Sequence, residues 1–224
     1  MPRKLLFVLI TFLIILACKE TKRDLPVKQK ANLADTLNNI DSDSDPKDRD
    51  VWQHPEYVIK LLGDISDQTV ADIGAGTGYF SFKILPKAKK LIAIDIDDRF
   101  IKLMDQKIKS FPQDQKTKFE ARLASPEDPK LSENEIQTAL VVNTYIYIQN
   151  RPQYFKNLKK NLSNKGRLVI IDFKNIDLPV GPPVSIKLSG NQIIEELKQA
   201  GYSNISLDNN LLDYQYVVVA ENLK

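Results

Sequence analysis

Apolar and polar positions divide the chain into three stretches. An apolar run fills residues 5–17, interrupted by Thr11 alone, and a polar stretch follows to about Asp50. From there short apolar runs alternate with segments whose apolar residues recur at helical spacing. The runs 70–73, 91–95, 118–123, 139–143 and 167–173 read as buried strands, and 205–207 and 216–220 close the chain. Phe100, Ile101, Met104 and Ile108 place a helix over 99–109; Tyr154, Phe155, Leu158 and Leu162 mark a second. A helix over 51–62 ends at Gly63. Ser189 with Gln192 forms a capping box ahead of Ile193, Ile194 and Leu197, with Gly201 just past the end. Such alternation predicts an α/β domain, a doubly wound, mostly parallel sheet with helices on both faces. About 175 residues suffice for one domain with a sizeable core.

The first strand runs directly into Asp72-Ile73-Gly74-Ala75-Gly76-Thr77-Gly78, and a helix over 79–85 follows until Pro86. Alternate glycines let a backbone turn sharply and lie close to a ligand that a Cβ would push away. A dinucleotide loop needs G-x-G-x-x-G, but the third position falls on Tyr79 counted from Gly74 and on Ser81 counted from Gly76. The second strand ends in Asp95, about twenty residues after the first glycine, where a carboxylate can accept two hydrogen bonds from ribose hydroxyls. Asp97 is the alternative acid, and capping of the next helix is the alternative role for Asp95.

D-x-G-x-G-x-G with a strand-end acid resembles the class I S-adenosylmethionine-dependent methyltransferases. Trp52-Gln53-His54-Pro55, the Val180-Gly181-Pro182-Pro183 loop and Tyr214-Gln215-Tyr216 narrow the likeness to a branch of the type 11 kind over residues 50–221. The resemblance implies a Rossmann-like sheet of about seven strands with an antiparallel edge. It implies that Gly74, Gly76 and Gly78 pass beneath the methionine part of the cofactor, that Asp72 orders the loop and faces the amino end, and that Asp95 holds the ribose. Adenine would lie beside the third strand end, where Ser125 is the nearest matching polar position. Asn143 at the fourth strand end completes the cofactor-facing set. The branch commonly continues D-T-Y-H-H-I after the fourth strand, where this chain has Asn143-Thr144-Tyr145-Ile146-Tyr147-Ile148.

Methyl transfer needs a base only where the acceptor must lose a proton. Tyr145, Tyr147 and His54 are the candidate catalytic residues, with Asp172 at the fifth strand end beside them. A stiff Pro182-Pro183 loop favours a small or amphipathic acceptor over a macromolecule. A noncatalytic lipoprotein that keeps the fold as a binding module is the alternative expectation.

The ends and the charge add the remaining constraints. Arg3 and Lys4 precede the apolar run and Cys18 follows it directly. The run falls short of the roughly twenty residues that span a bilayer but suits a secretory signal. Ile15-Leu16-Ala17-Cys18 resembles a lipobox, which implies a lipidated Cys18, a membrane anchor at the cell envelope, a polar tether over 19–49 and a domain over 50–224. An uncleaved anchor in the inner membrane with a cytoplasmic domain is the alternative. With the only cysteine so used and one histidine left, no metal site is expected. Without Arg3 and Lys4, 30 basic residues face 29 acidic ones, which gives no field for nucleic acid.

Overall fold

A computed structural model describes residues 46–223, all within one compact unit. The lipobox and most of the polar stretch lie outside the described residues. Among those described, the elements run α1 (Pro46–Gln53), α2 (Pro55–Lys60), β1 (Thr69–Ile73), α3 (Ser81–Ile84), β2 (Lys90–Asp95), α4 (Asp98–Lys107) and α5 (Gln113–Lys116). They continue with β3 (Phe119–Leu123), β4 (Ile136–Val142), α6 (Arg151–Asn161), β5 (Leu162–Phe173), α7 (Gly190–Gln199), β6 (Ser203–Asp208) and β7 (Gln215–Asn222). The seven strands form one sheet in the order β3-β2-β1-β4-β5-β7-β6. β1 to β5 pair in parallel, whereas β7 runs antiparallel to both β5 and β6, so the antiparallel edge is present.

Central parallel strands must be apolar on both faces. Alternate residues Ala71, Ile73, Ile92, Ile94, Val141 and Ile170 pack on one face against Phe155 and Leu158 of α6 and Ile193 and Leu197 of α7. Their neighbours Val70, Leu91, Leu140, Val169 and Ile171 pack on the other against Val58 and Ile59 of α2 and Ile84 of α3. Ala93 on that second face meets Ile101 and Met104 of α4. Each fully buried Val, Leu or Ile side chain among these contributes about 1.5–3 kcal/mol.

Four boundaries differ from expectation. The helix expected over 51–62 is two helices, broken at His54, whose φ of 46° is left-handed. Pro55 disfavours the helical region for the residue before it, and histidine tolerates the left-handed one better than most. The helix over 79–85 shrinks to the single turn of α3. The turn residues 164–166 do not precede β5 but bulge from inside it. Pairing with β4 runs Ile136↔Leu162, then jumps to Thr138↔Arg167, so Leu162 belongs to the strand rather than to α6. α1 also begins at Pro46, inside the stretch expected as tether, and its Arg49 guanidinium lies over the Tyr79 ring at 4.2 Å.

Candidate active site

The sheet reverses its winding between β1 and β4, and ligands of open α/β sheets bind outside the strand ends at that point. The glycine loop leaves β1 there. Gly74, Gly76 and Gly78 have φ of 75°, 55° and 81°, a region closed to most side chains. Two of them are also packing requirements: a Cβ on Gly74 would stand 2.8 Å from Thr144 Cβ, and one on Gly78 would stand 2.5 Å from the Phe82 ring. The loop uses its own amides. Gly74 and Ala75 donate to Ile94 O at 2.8 and 2.9 Å, Gly78 donates to Ala75 O at 2.9 Å, and Gly76 donates to Asp95 Oδ2 at 2.8 Å. A pyrophosphate would have to compete for these four N–H groups, which agrees with the failed dinucleotide spacing.

Asp72 ties the loop to the next helix, its buried carboxylate accepting from Ser81 Oγ at 2.6 Å. Burial raises its pKa to about 6 against the opposing Ser81 bond. The two acids after β2 separate cleanly by role. Asp97 caps α4, accepting from Arg99 N at 2.9 Å and pairing with the Arg99 guanidinium, which lowers its pKa. Asp95 accepts from Gly76 N–H and, at 3.0 Å, from Asp97 N–H, and burial raises its pKa. The Ile96 N–H also faces it, so of about four acceptor positions on a carboxylate at least one stays open to a ribose hydroxyl.

Beside Asp95, Ala124 N–H donates to the Asp95 carbonyl at 2.8 Å, and Ser125 pairs with Asp128 through both backbone amides in a tight turn. Ser125 therefore stands at the expected strand end but as a turn residue. Ile96 and Leu123, 41% and 49% exposed, flank the same tip. Leu123 belongs to the third strand end that the sequence marks out, whereas Ile96 carries no expectation of its own; its place just past the apolar run of β2 was the available signal.

The fourth strand end divides its candidates. Asn143, at a left-handed φ of 55°, bonds through Oδ1 to Gln215 Nε2. Gln215 Oε1 accepts from Gln53 Nε2 at 3.0 Å, so a buried relay of amides runs from Arg49 through Gln53 and Gln215 to Asn143. Asn143 is thus committed to the protein through that oxygen. Tyr145 is wholly buried against Phe155, ring centroids 4.7 Å apart, and its hydroxyl donates to Glu196 Oε2 at 2.8 Å. That corrects its candidacy: it is a core residue on the α6–α7 side, with a pKa driven upward by burial and by Glu196. The ring partner of His54 is Tyr57 at 5.5 Å, itself half exposed, and His54 contributes chiefly the backbone kink between α1 and α2. Tyr147 differs from both. Its hydroxyl is buried without a hydrogen-bond partner, as is Oδ2 of the neighbouring Asp172. Among the described residues no three metal-ligating side chains gather into a site.

Residues 71–168 match the family model of a methyltransferase domain. The fold agrees: an S-adenosylmethionine-dependent methyltransferase from Aquifex aeolicus superposes with a TM-score of 0.72 at 21% identity, over 84% of this chain and 98% of that one. A phosphoethanolamine N-methyltransferase from Haemonchus contortus, solved with S-adenosyl-L-methionine, superposes with a TM-score of 0.65 at 10% identity, over 77% of this chain and 53% of that one. In sequence, 40 residues are 48% identical to a ribosomal RNA small subunit methyltransferase A from Koribacter versatilis, a match spanning 18% of this chain but only 14% of that protein. The methyltransferase fold is therefore shared, with the glycine loop and Asp95 both inside the matched region.

Proposed function

We propose that this chain is an S-adenosylmethionine-dependent methyltransferase acting on a small acceptor. The observation that carries this reading is the Asp95 carboxylate: it clamps Gly76 N–H at 2.8 Å, joining the glycine loop to the β2 end, and leaves the helix-capping work to Asp97. The residues fit the cofactor. Asp95 would hold the ribose, the loop from Gly74 to Gly78 would carry the methionine part, and Ile96 and Leu123 offer apolar surface for adenine. When bound, the cofactor supplies a methyl group on a sulfonium, already electrophilic, so holding the acceptor in line supplies much of the rate. The likeness to solved methyltransferases supports the reading at the level of fold. Cys18, by its position after the apolar run, would carry a lipid anchor and place the enzyme at the cell envelope.

Calorimetry of the purified full-length chain with S-adenosylhomocysteine, S-adenosylmethionine and NAD is the direct test. Binding of the first two and not the third is expected. Asp95→Ala should weaken S-adenosylhomocysteine by about 1–3 kcal/mol, the scale for unpaired polar groups, whereas Asp97→Ala should leave affinity near that of the parent. Preference for NAD, or equal affinity in Asp95→Ala, would remove the proposal.

A further inference from the structure

The tip of β5 buries polar groups that the fold does not need. Asp172 is 0% exposed; its Oδ1 accepts from Phe173 N–H at 2.8 Å, the Ile146 N–H also faces the carboxylate, and its Oδ2 makes no well-formed hydrogen bond. An unpaired buried carboxylate oxygen is expensive, and a purely structural residue at this position would be apolar. The Tyr147 hydroxyl, on the turn that follows β4, is also buried and unpartnered, and it lies within the field of Asp172. From the other elements packed here, Lys187 and the Tyr216 phenol face the carboxylate, with the Glu196–Arg151 pair beyond Tyr216. Tyr216 OH donates to Leu188 O at 3.3 Å and Lys187 Nζ to Ile176 O at 2.9 Å, so both are occupied by the segment over the site.

On the proposed reading as a methyltransferase, we infer that Asp172 and Tyr147 form the acceptor subsite and take a neutral acceptor through its nucleophilic O–H or N–H group. Placement supports this. β5 lies two strands from β1, about 10 Å at the usual interstrand spacing, with the β4 end between them, so Asp172 and the glycine loop stand at the same edge of the sheet. Charge supports a neutral acceptor, because Lys187, which also faces Asp177, offsets part of the carboxylate's charge. An anionic acceptor would be repelled by Asp172. Asp172 Oδ2 accepts the hydrogen bond of the acceptor, and the Tyr147 hydroxyl supplies a donor to a second polar atom. As the acceptor oxygen or nitrogen bonds to the methyl carbon, the carbon–sulfur bond breaks to leave a neutral thioether. The acceptor proton passes to Asp172 Oδ2 and from there to solvent. Burial sets Asp172 at a pKa of about 7, suited to a proton acceptor near neutrality. Oδ2 is closed to solvent, so access requires movement of the groups packed around it, Lys187 of the 174–189 segment among them.

The test uses full-length protein saturated with S-adenosylhomocysteine, with phenol and aniline as probes for O–H and N–H acceptors. At least one should bind by calorimetry, and affinity should fall as pH drops from 8 to 6. Asp172→Asn, which keeps the oxygen facing Phe173 N–H, should weaken the probe about tenfold and flatten the pH profile while still binding S-adenosylhomocysteine. Tyr147→Phe should weaken it less and keep the profile. Failure of the parent to bind S-adenosylhomocysteine would defeat the reading as a methyltransferase. With that binding intact, no binding of either probe, or an Asp172→Asn variant matching the parent in affinity and pH profile, would overturn the subsite.

Discussion

At the residue scale, two glycines of one motif answer to different neighbours. Gly74 is held open by Thr144 of the β4 end, and Gly78 by Phe82 and Met104 beneath it. Gly74→Ala should therefore cost stability on two grounds: about 1–2 kcal/mol for a left-handed alanine and about 1–3 kcal/mol for the collision with Thr144. Thr144→Ala in the same chain should recover only part, because the threonine Cβ itself is within 2.8 Å of the added carbon. Urea unfolding of the two variants would check this, and full recovery in the double variant would show that the methyl and hydroxyl alone set the constraint. The place of Asp95 was legible, a carboxylate at the end of an apolar run, but its bond to the Gly76 N–H was not. Nor was the place of Tyr145. Two tyrosines at alternate positions look alike in sequence, but a single-turn 3-10 helix over Tyr145–Tyr147 sends one hydroxyl to Glu196, some fifty positions later in the chain, and leaves the other at the β5 tip.

At the scale of elements, strands were read more faithfully than helices because an apolar run needs only its own length to be recognised. β1 and β2 fall within a residue of expectation, while the two-helix entrance does not, since a proline's effect on its predecessor competes with a continuous apolar pattern. Pairing extended β4 and β5 past their apolar runs, and nothing local in Asn164-Lys165-Gly166 tells a bulge from a turn. The buried amide relay also lies beyond local reading. Gln53 and Gln215 are 162 positions apart, both wholly buried, and join at 3.0 Å. Their exchange fastens α1 to the β7 start, and α1 is otherwise fastened through Arg49 over the Tyr79 ring at 4.2 Å and the Asp50–Lys83 pair at 3.2 Å. Gln215→Leu should leave Gln53 Nε2 and Asn143 Oδ1 without these partners, at a cost of about 1–3 kcal/mol. Hydrogen exchange should quicken in α1 while the central strands stay protected. Unchanged α1 protection would show that the aromatic and ionic contacts hold it alone.

At the scale of the whole molecule, the seven strands and the antiparallel edge followed once the family resemblance joined the alternation, because periodicity by itself pairs no strands. The same step links the domain to its remaining question, the fate of residues 1–45. Among the described residues no helix is long and apolar enough to cross a membrane. Attachment would then depend on the apolar run 5–17 and on Cys18. The two anchoring modes differ chemically but not in simple fractionation: an uncleaved run at 5–17 keeps a chain at the membrane whether or not Cys18 is acylated. Two or more acyl chains hold a protein firmly, where one binds only reversibly. The decisive measurement is therefore covalent. In a lipoprotein-processing bacterial host, fatty-acid labelling should appear on the parent together with loss of residues 1–17, and Cys18→Ser should lose the label and retain the full-length precursor. Labelling that survives the substitution would put the acyl group on a residue other than Cys18 and overturn the assignment, whereas a parent that stays both unlabelled and uncleaved would assign the anchoring to the apolar run itself and leave the domain on the cytoplasmic side, where S-adenosylmethionine is made.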